Sequence, residues 1–188
     1  MFEGCTSLTN ETYDEKEKVH ISNIAEFKFQ QLNLHSCSYM FAGCVSLTKA
    51  LLFRPTVMFT SSYEGLYQGC TSLTSITSLS AKEVAYGCYA NMFKDCISLK
   101  KFYENGETFV LPALKLFSNC YYGMFEGCTS LEEAPSLSSI KTLASSCCKR
   151  MFYGCTSLLN TPELNSITLA ESCYESMFEG CISIIKMP

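Results

Sequence analysis

Apolar and polar positions follow one pattern that recurs seven times along the chain. In its commonest form the pattern reads Met-Phe-x-Gly-Cys-x-Ser-Leu. Its copies lie at 1–9, 40–48, 66–74, 92–100, 124–132, 151–159 and 177–185. They begin 39, 26, 26, 32, 27 and 26 residues apart, so the repeating unit has 26 residues and the longer steps contain insertions, at 10–35 and 101–111. A fixed period of this length is typical of stacked repeat proteins.

Within each repeat, position zero is the first residue of the copy, which is methionine in most copies. Apolar residues recur seven, four and three positions before it, at it and just after it, which predicts a short amphipathic helix or helical turn. The glycine at position +3 predicts a left-handed end to this element, and Asp95, which replaces it once, also tolerates that backbone. The Ser, Thr and Ile residues that follow predict a strand of four to six residues. Each repeat is therefore predicted to be a short helix, a turn and a strand.

One repeat cannot bury a face alone, whereas stacked copies bury a continuous one and pair their strands in parallel. The runs Cys-Tyr-x-x-Met-Phe-x-Gly-Cys-x-Ser-Leu resemble the BspA-type leucine-rich-repeat family. This family occurs in bacterial surface proteins, in surface proteins of parasitic protists and in phage-associated proteins. The resemblance implies a leucine-rich-repeat solenoid of seven units, with short parallel strands on one face and short helical turns on the other.

The two insertions differ in their composition. Residues 10–35 are polar and then alternating, which predicts an excursion with a strand or helix of its own. In 101–111, Asn105-Gly106 lies between two β-prone runs and predicts a hairpin. We expect 1–188 to form a single solenoid that belongs to a longer array. Met1 and Pro188 both fall inside repeats, so neither end carries a polar cap, and we expect the isolated chain to associate through its ends.

All thirteen cysteines occupy repeat positions, seven of them after the corner glycine and six of them seven or eight residues earlier. If the intervening run is helical, cysteines eight apart are ~12 Å apart, beyond the ~7 Å that a disulfide tolerates. Equivalent cysteines in neighbouring repeats are closer but are expected to point in parallel. There is no Cys-x-x-Cys pair for a metal, and the histidines, His20 and His35, lie in or beside the first insertion. The pattern favours free cysteines that fill the core, with no metal and no cofactor.

Charge and motifs exclude several classes of function. The net charge of −4 gives no basic footprint for nucleic acid. No apolar run is long enough for a membrane helix, and residues 1–5 do not resemble a leader. A Cys–His dyad through His20 or His35 is disfavoured, Glu132 and Glu133 would face opposite ways on a strand, and no phosphate loop or nucleophile elbow is present. A non-enzymatic protein is therefore predicted, and the acceptor sequence at Asn10 carries no weight.

Positions +8 and +9, which flank the predicted strand, change from repeat to repeat and form the candidate binding surface. Its residues are Thr74, Ser75, Lys100, Lys101, Glu132, Glu133, Leu159 and Asn160. The same pattern fits solvated surface positions without a ligand equally well. Together with the family resemblance, this surface favours a recognition or adhesion module at the cell surface or secreted, which binds a protein or glycan. The alternative is a structural spacer within a larger surface or phage-tail polypeptide.

Overall fold

The computed structural model describes residues 3–7, 11–14, 19–22, 26–27, 33–53, 55, 57–76, 79–100, 102 and 109–186. Four strands lie among them: β1 (Glu11–Asp14), β2 (Val19–Ser22), β3 (Glu26–Phe27) and β4 (Leu52–Phe53). β1 and β2 form an antiparallel pair, and β3 pairs in parallel with β4. The first insertion thus contains strands, one of the two possibilities predicted for it. The hairpin predicted at Asn105-Gly106 lies outside the described residues.

The stretch predicted as a helix is a run of tight turns, and the described residues contain no helix. Six such turn segments of ten residues each lie within the described ranges, at 34–43, 60–69, 86–95, 118–127, 145–154 and 171–180. Every second N–H in a segment bonds to the carbonyl three residues earlier, as in Met40 to Cys37 (3.2 Å) and Ala42 to Tyr39 (3.1 Å). This is the hydrogen bond of a β-turn rather than of an α-helix.

In the first five turn segments, the remaining N–H groups bond to the next segment along the chain. Tyr63, for example, donates to Cys88 over 2.9 Å, and Tyr67 donates to Met92 over 2.9 Å. Five such bonds, of 2.7–3.2 Å, connect each pair of successive segments, from 34–43 through to 171–180. Successive repeats therefore stack in a fixed register, with half of the N–H groups satisfied locally and half by the neighbour.

Backbone conformation alternates with the same regularity. Every fourth residue of a turn segment has positive φ, as in Gly87 (+57°), Asn91 (+54°) and Asp95 (+60°). An α-helix cannot contain such residues, because each requires the left-handed region. The predicted left-handed corner is confirmed, since the corner glycines have φ between +70° and +79° and Asp95 adopts the same region.

The strands predicted after the corner are much shorter than four to six residues. Single parallel bridges join Lys49 to Ser75, Glu133 to Asn160, and Asn160 to Lys186. In two repeats a proline, Pro135 or Pro162, follows two residues after the bridge. A proline has no N–H to donate, so the ladder stops there.

The core consists of side-chain ladders that run along the stack. Aromatic rings at position +1 lie nearly parallel, with centroids 5.6–5.7 Å apart and interplanar angles of 8° or less. The members of this aromatic ladder are Phe41, Tyr67, Phe93, Phe125, Phe152 and Phe178. The repeat leucines, among them Leu73 and Leu131, are fully buried beside it. Because rings of similar shape stack from each repeat to the next, the packing of the core favours the same register as the backbone hydrogen bonds.

Candidate functional site

Residues of the predicted binding surface form a row across the repeats. Ser75, Glu133 and Asn160 take part in the single bridges, which places position +9 of one repeat beside that of the next. Position +8 continues the row, since Glu132 N–H donates to Lys100 O (3.1 Å) and Leu159 N–H donates to Glu132 O (3.0 Å).

The members of this row differ in exposure. The exposed ones are Thr74, Lys100, Leu159 and Asn160, while Ser75, Glu132 and Glu133 are half-buried. Lys101 lies outside the described residues. Backbone bonds and bridges among the described residues join the row from the second repeat to the third and from the fourth to the seventh.

A groove of about 600 Å³ lies elsewhere, between the fourth and fifth repeats. One wall carries Lys82 and Glu83 of the fourth repeat, beside Val57 and Met58 of the third, and the other carries Leu114, Lys115 and Phe117 of the fifth. Leu114 is 53% exposed and Phe117 43% exposed, although both are large apolar side chains. The groove is lined by Val57, Met58, Lys82, Glu83, Val84, Leu114, Lys115 and Phe117.

The groove coincides with an interruption in the parallel bridges. Val57 is bridged to Glu83, and Lys115 is bridged to Thr142. Within the part of the chain that the structure describes, no bridge joins Glu83 to Lys115. The step between these two repeats is the one that contains the insertion at 101–111. The insertion is thus associated with a local separation of two neighbouring repeats.

Charge at the groove differs in sign from that of the whole chain. Lys82 and Lys115 line it together with a single carboxylate, Glu83. The ammonium group of Lys115 lies 5.3 Å from the centre of the Phe117 ring, within the range of a cation–π contact. The chain as a whole has a net charge of −4. An apolar groove with a basic rim on an acidic protein selects ligands by both shape and charge.

A smaller, polar cleft of about 230 Å³ lies on the face formed by the turn segments. Asn119 Nδ2 donates to the hydroxyl of Tyr86 over 2.8 Å. Tyr86 is 51% exposed and Tyr122 is half-buried, so two phenol rings border the cleft. Its lining consists of Ser61, Glu64, Tyr86, Gly87, Ala90, Asn91, Asn119 and Tyr122. Amide, hydroxyl and aromatic groups in one cleft can bind a small polyhydroxylated ring.

A charge cluster on the same face joins three repeats. Glu126 accepts two hydrogen bonds from Arg150, of 3.0 and 3.1 Å, and lies 3.1 Å from Lys94 Nζ. Arg150 also stacks on the Tyr153 ring at 3.6 Å. Burial raises the pKa of Glu126, but the hydrogen bonds from Arg150 and Lys94 outweigh it and lower that pKa below its usual value. The cluster is satisfied internally, which assigns it to stability rather than to ligand binding.

The corner cysteines act as structural donors. Cys96 Sγ lies 3.2 Å from Tyr67 O, and Cys128 Sγ lies 3.1 Å from Phe93 O, each reaching back to the preceding repeat. Burial raises the pKa of both thiols well above the usual value, so both are protonated at neutral pH. No group of three metal-ligating side chains occurs within the described ranges.

The groove residues were not among the predicted site residues. Phe117 stands seven residues before position zero, where three other repeats have alanine and one has Phe59, so the residue type at this position does not mark the groove. His35, the second histidine, is exposed, with Ser38 Oγ 3.5 Å from its Nδ1.

Comparisons of the chain with protein-family models, with curated proteins and with solved structures found no match. In the part of the chain that the structure describes, no helix is long and apolar enough to cross a membrane.

Proposed function

We propose that the protein is a non-enzymatic recognition module, a leucine-rich-repeat solenoid of the BspA type that binds a partner protein at the cell surface or after secretion. The observation that carries this proposal is the groove of about 600 Å³ between the fourth and fifth repeats. Exposed Leu114 and Phe117 offer apolar contacts, and a regular repeat array that serves only as a spacer has no need of them.

The occupant that fits the groove best is an acidic protein segment with apolar anchor residues. Lys82 and Lys115 favour carboxylates at the rim, while Leu114 and Phe117 favour burial of aliphatic or aromatic side chains. Because no bridge spans from Glu83 to Lys115 among the described residues, a segment that lies in an extended conformation can also reach backbone groups there.

Selection from a displayed library of random peptides on the purified chain tests this proposal. We expect enriched peptides to combine Asp or Glu with apolar residues. Phe117→Ser and Lys115→Glu should each weaken their binding about tenfold or more, the effect of losing an anchor worth above about 1.4 kcal/mol. Lys100→Glu, in the row of positions +8 and +9, is the matched control and should leave the affinity unchanged.

The other outcomes decide against the groove. If Lys100→Glu or Glu132→Lys removes binding and Phe117→Ser does not, the row of positions +8 and +9 is the binding surface. If no peptide is enriched above an unrelated protein, the alternative of a structural spacer in a larger surface or phage-tail polypeptide is favoured. The continuous ladders of hydrogen bonds and rings support that alternative.

A glycan is a second candidate ligand, and the polar cleft favours it. Tyr86 and Tyr122 offer ring faces to the C–H groups of a sugar, and Asn119 and Glu64 offer polar atoms to its hydroxyls. A cleft of about 230 Å³ is smaller than the roughly 300–1,000 Å³ of drug-sized sites, which suits one sugar ring. Binding to a glycan array that is lost in Tyr86→Ala and kept in Phe117→Ser would support this candidate, and an array without signal would exclude it.

A further inference from the structure

We propose that Cys88 and Cys120 form a disulfide that links the fourth repeat to the fifth. Their Sγ atoms lie 3.6 Å apart, and both residues are fully buried. They occupy the same position in successive repeats, and the bond from Tyr89 N–H to Cys120 O (3.0 Å) holds their backbones side by side.

The geometry of the stack suits this bond. The turn segments that contain the two cysteines are hydrogen-bonded beside them, from Tyr89 N–H to Cys120 O over 3.0 Å, and a disulfide requires Cα atoms that are roughly 4.4–6.8 Å apart. Equivalent cysteines were predicted to point in parallel, but the short distance between Sγ atoms shows that these two side chains approach each other. Closing the bond needs rotation of the two side chains and no change in the register of the repeats.

The corner cysteines provide a contrast within the same molecule. Cys96 and Cys128 also follow each other in these two repeats, yet each thiol is directed at a backbone carbonyl of the preceding repeat. Oxidising them would break those hydrogen bonds, whereas Cys88 and Cys120 already contact each other. The fold thus separates the Cys88–Cys120 pair, which is suited to oxidation, from the corner cysteines, which are suited to staying reduced.

The reaction is thiol–disulfide exchange with a small or protein disulfide as the oxidant. One cysteine thiolate attacks a sulfur of the oxidant, which releases one thiolate and leaves a mixed disulfide. The second cysteine thiolate then attacks the bound cysteine sulfur and releases the other half of the oxidant. Two cysteine thiols are oxidised, the oxidant disulfide is reduced to two thiols, and the two cysteine protons pass to them.

The bond is expected to form during folding rather than afterwards. Both thiols are buried, and burial raises the pKa of Cys120, so the folded protein keeps that thiol neutral and out of reach of an oxidant. In the unfolded chain the same thiols are accessible. An oxidant that is present while the repeats stack should therefore act far faster than one added to the folded, reduced protein.

The bond would also join the two walls of the groove. Lys82 and Glu83 precede Cys88, and Leu114 and Phe117 precede Cys120, so each wall is anchored close to one of the two sulfurs. Only this consequence rests on the proposed function. A groove whose walls are tied together loses less freedom on binding, so the oxidised form should bind the selected peptides more tightly.

Peptide mapping tests the disulfide directly. The full chain is unfolded under reducing conditions, refolded in a glutathione redox buffer, quenched with acid, alkylated and digested without reduction. We expect one dominant linked product that contains Cys88 and Cys120 and is two hydrogens lighter than the sum of its parts, with Cys96 and Cys128 alkylated. The denaturation midpoint should also lie at a higher denaturant concentration than that of the reduced protein.

Two variants and one kinetic arm complete the experiment. Cys88→Ala should leave Cys120 alkylated, and Cys96→Ala should leave the Cys88–Cys120 product in place. Oxidised glutathione added to the folded, reduced chain should yield little of that product over the same time. Alkylated Cys88 and Cys120 in the refolded wild type, or their pairing with other cysteines, would overturn the inference even if a variant fails to fold. A mapped disulfide without peptide binding would overturn only the proposed function.

Discussion

Replacing Ser146 by glycine should stabilise the protein, although glycine destabilises helices. Ser146 has a φ of +53°, and its N–H donates to Glu171 O over 2.9 Å in the next repeat. A non-glycine residue in the left-handed region costs about 1–2 kcal/mol. Glycine removes that cost but adds roughly 0.5–1 kcal/mol through the greater freedom of the unfolded chain. The difference lies between about 0 and 1.5 kcal/mol, so we expect a net gain of about 0.7 kcal/mol in the free energy of unfolding for Ser146→Gly.

Ser145 provides the matched control one residue earlier. It has the same side chain, lies in the same turn segment and is not left-handed. Ser145→Gly should therefore lower the free energy of unfolding by about 0.5–1 kcal/mol. Urea denaturation followed by circular dichroism measures both variants. If residues 145–154 formed a helix instead, each of the two variants would lower the free energy of unfolding by about 1 kcal/mol. Equal losses for Ser145→Gly and Ser146→Gly would therefore refute the alternating turn conformation.

Three further predictions follow from the packing and the charges. Phe125 stacks between Phe93 and Phe152 and is fully buried. Phe125→Ala should therefore lower the free energy of unfolding, measured by denaturant titration, by about 3–5 kcal/mol. The loss should be clearly larger than for Phe178→Ala, because the Phe178 ring has one stacked neighbour among the described residues. The pKa of Glu126 is lowered in the folded state, so its ionised carboxylate stabilises the fold at neutral pH and this stabilisation is lost as the pH falls. The wild type should therefore be more stable than Glu126→Gln at pH 7, and the two free energies of unfolding should converge as the pH falls below about 4.3. A difference that stays constant with pH would contradict the charge cluster. Ile182 and Ile185 are 83% and 80% exposed, so we expect the isolated chain to self-associate. Light scattering should detect this association and show that Ile182→Ser reduces it. A stable monomer at high concentration would contradict the prediction.

The register of the repeats was readable from the sequence, whereas the local conformation was not. Aligning the copies places Phe93, Phe125 and Phe152 at one position, and these residues do stack. The same alignment predicts the left-handed corner, which is confirmed. The groove could not be predicted, because it depends on how an insertion separates two repeats in space. The class of solenoid and the function remain proposals.

The helix was predicted because an apolar stripe over ten residues fits a period of 3.6 and a period of four almost equally well. What distinguishes the two is the residue type at every fourth position: Gly87, Asn91 and Asp95 all tolerate positive φ, as do Asn119, Gly123 and Gly127. Arg150 and Tyr39 adopt the same conformation without any such preference. Their neighbours must impose it, and the bond from Arg150 N–H to Glu175 O (2.9 Å) provides the means. A single repeat in isolation would lose these bonds, so its conformation is a property of the stack, and helix propensity measured on one segment alone cannot decide it.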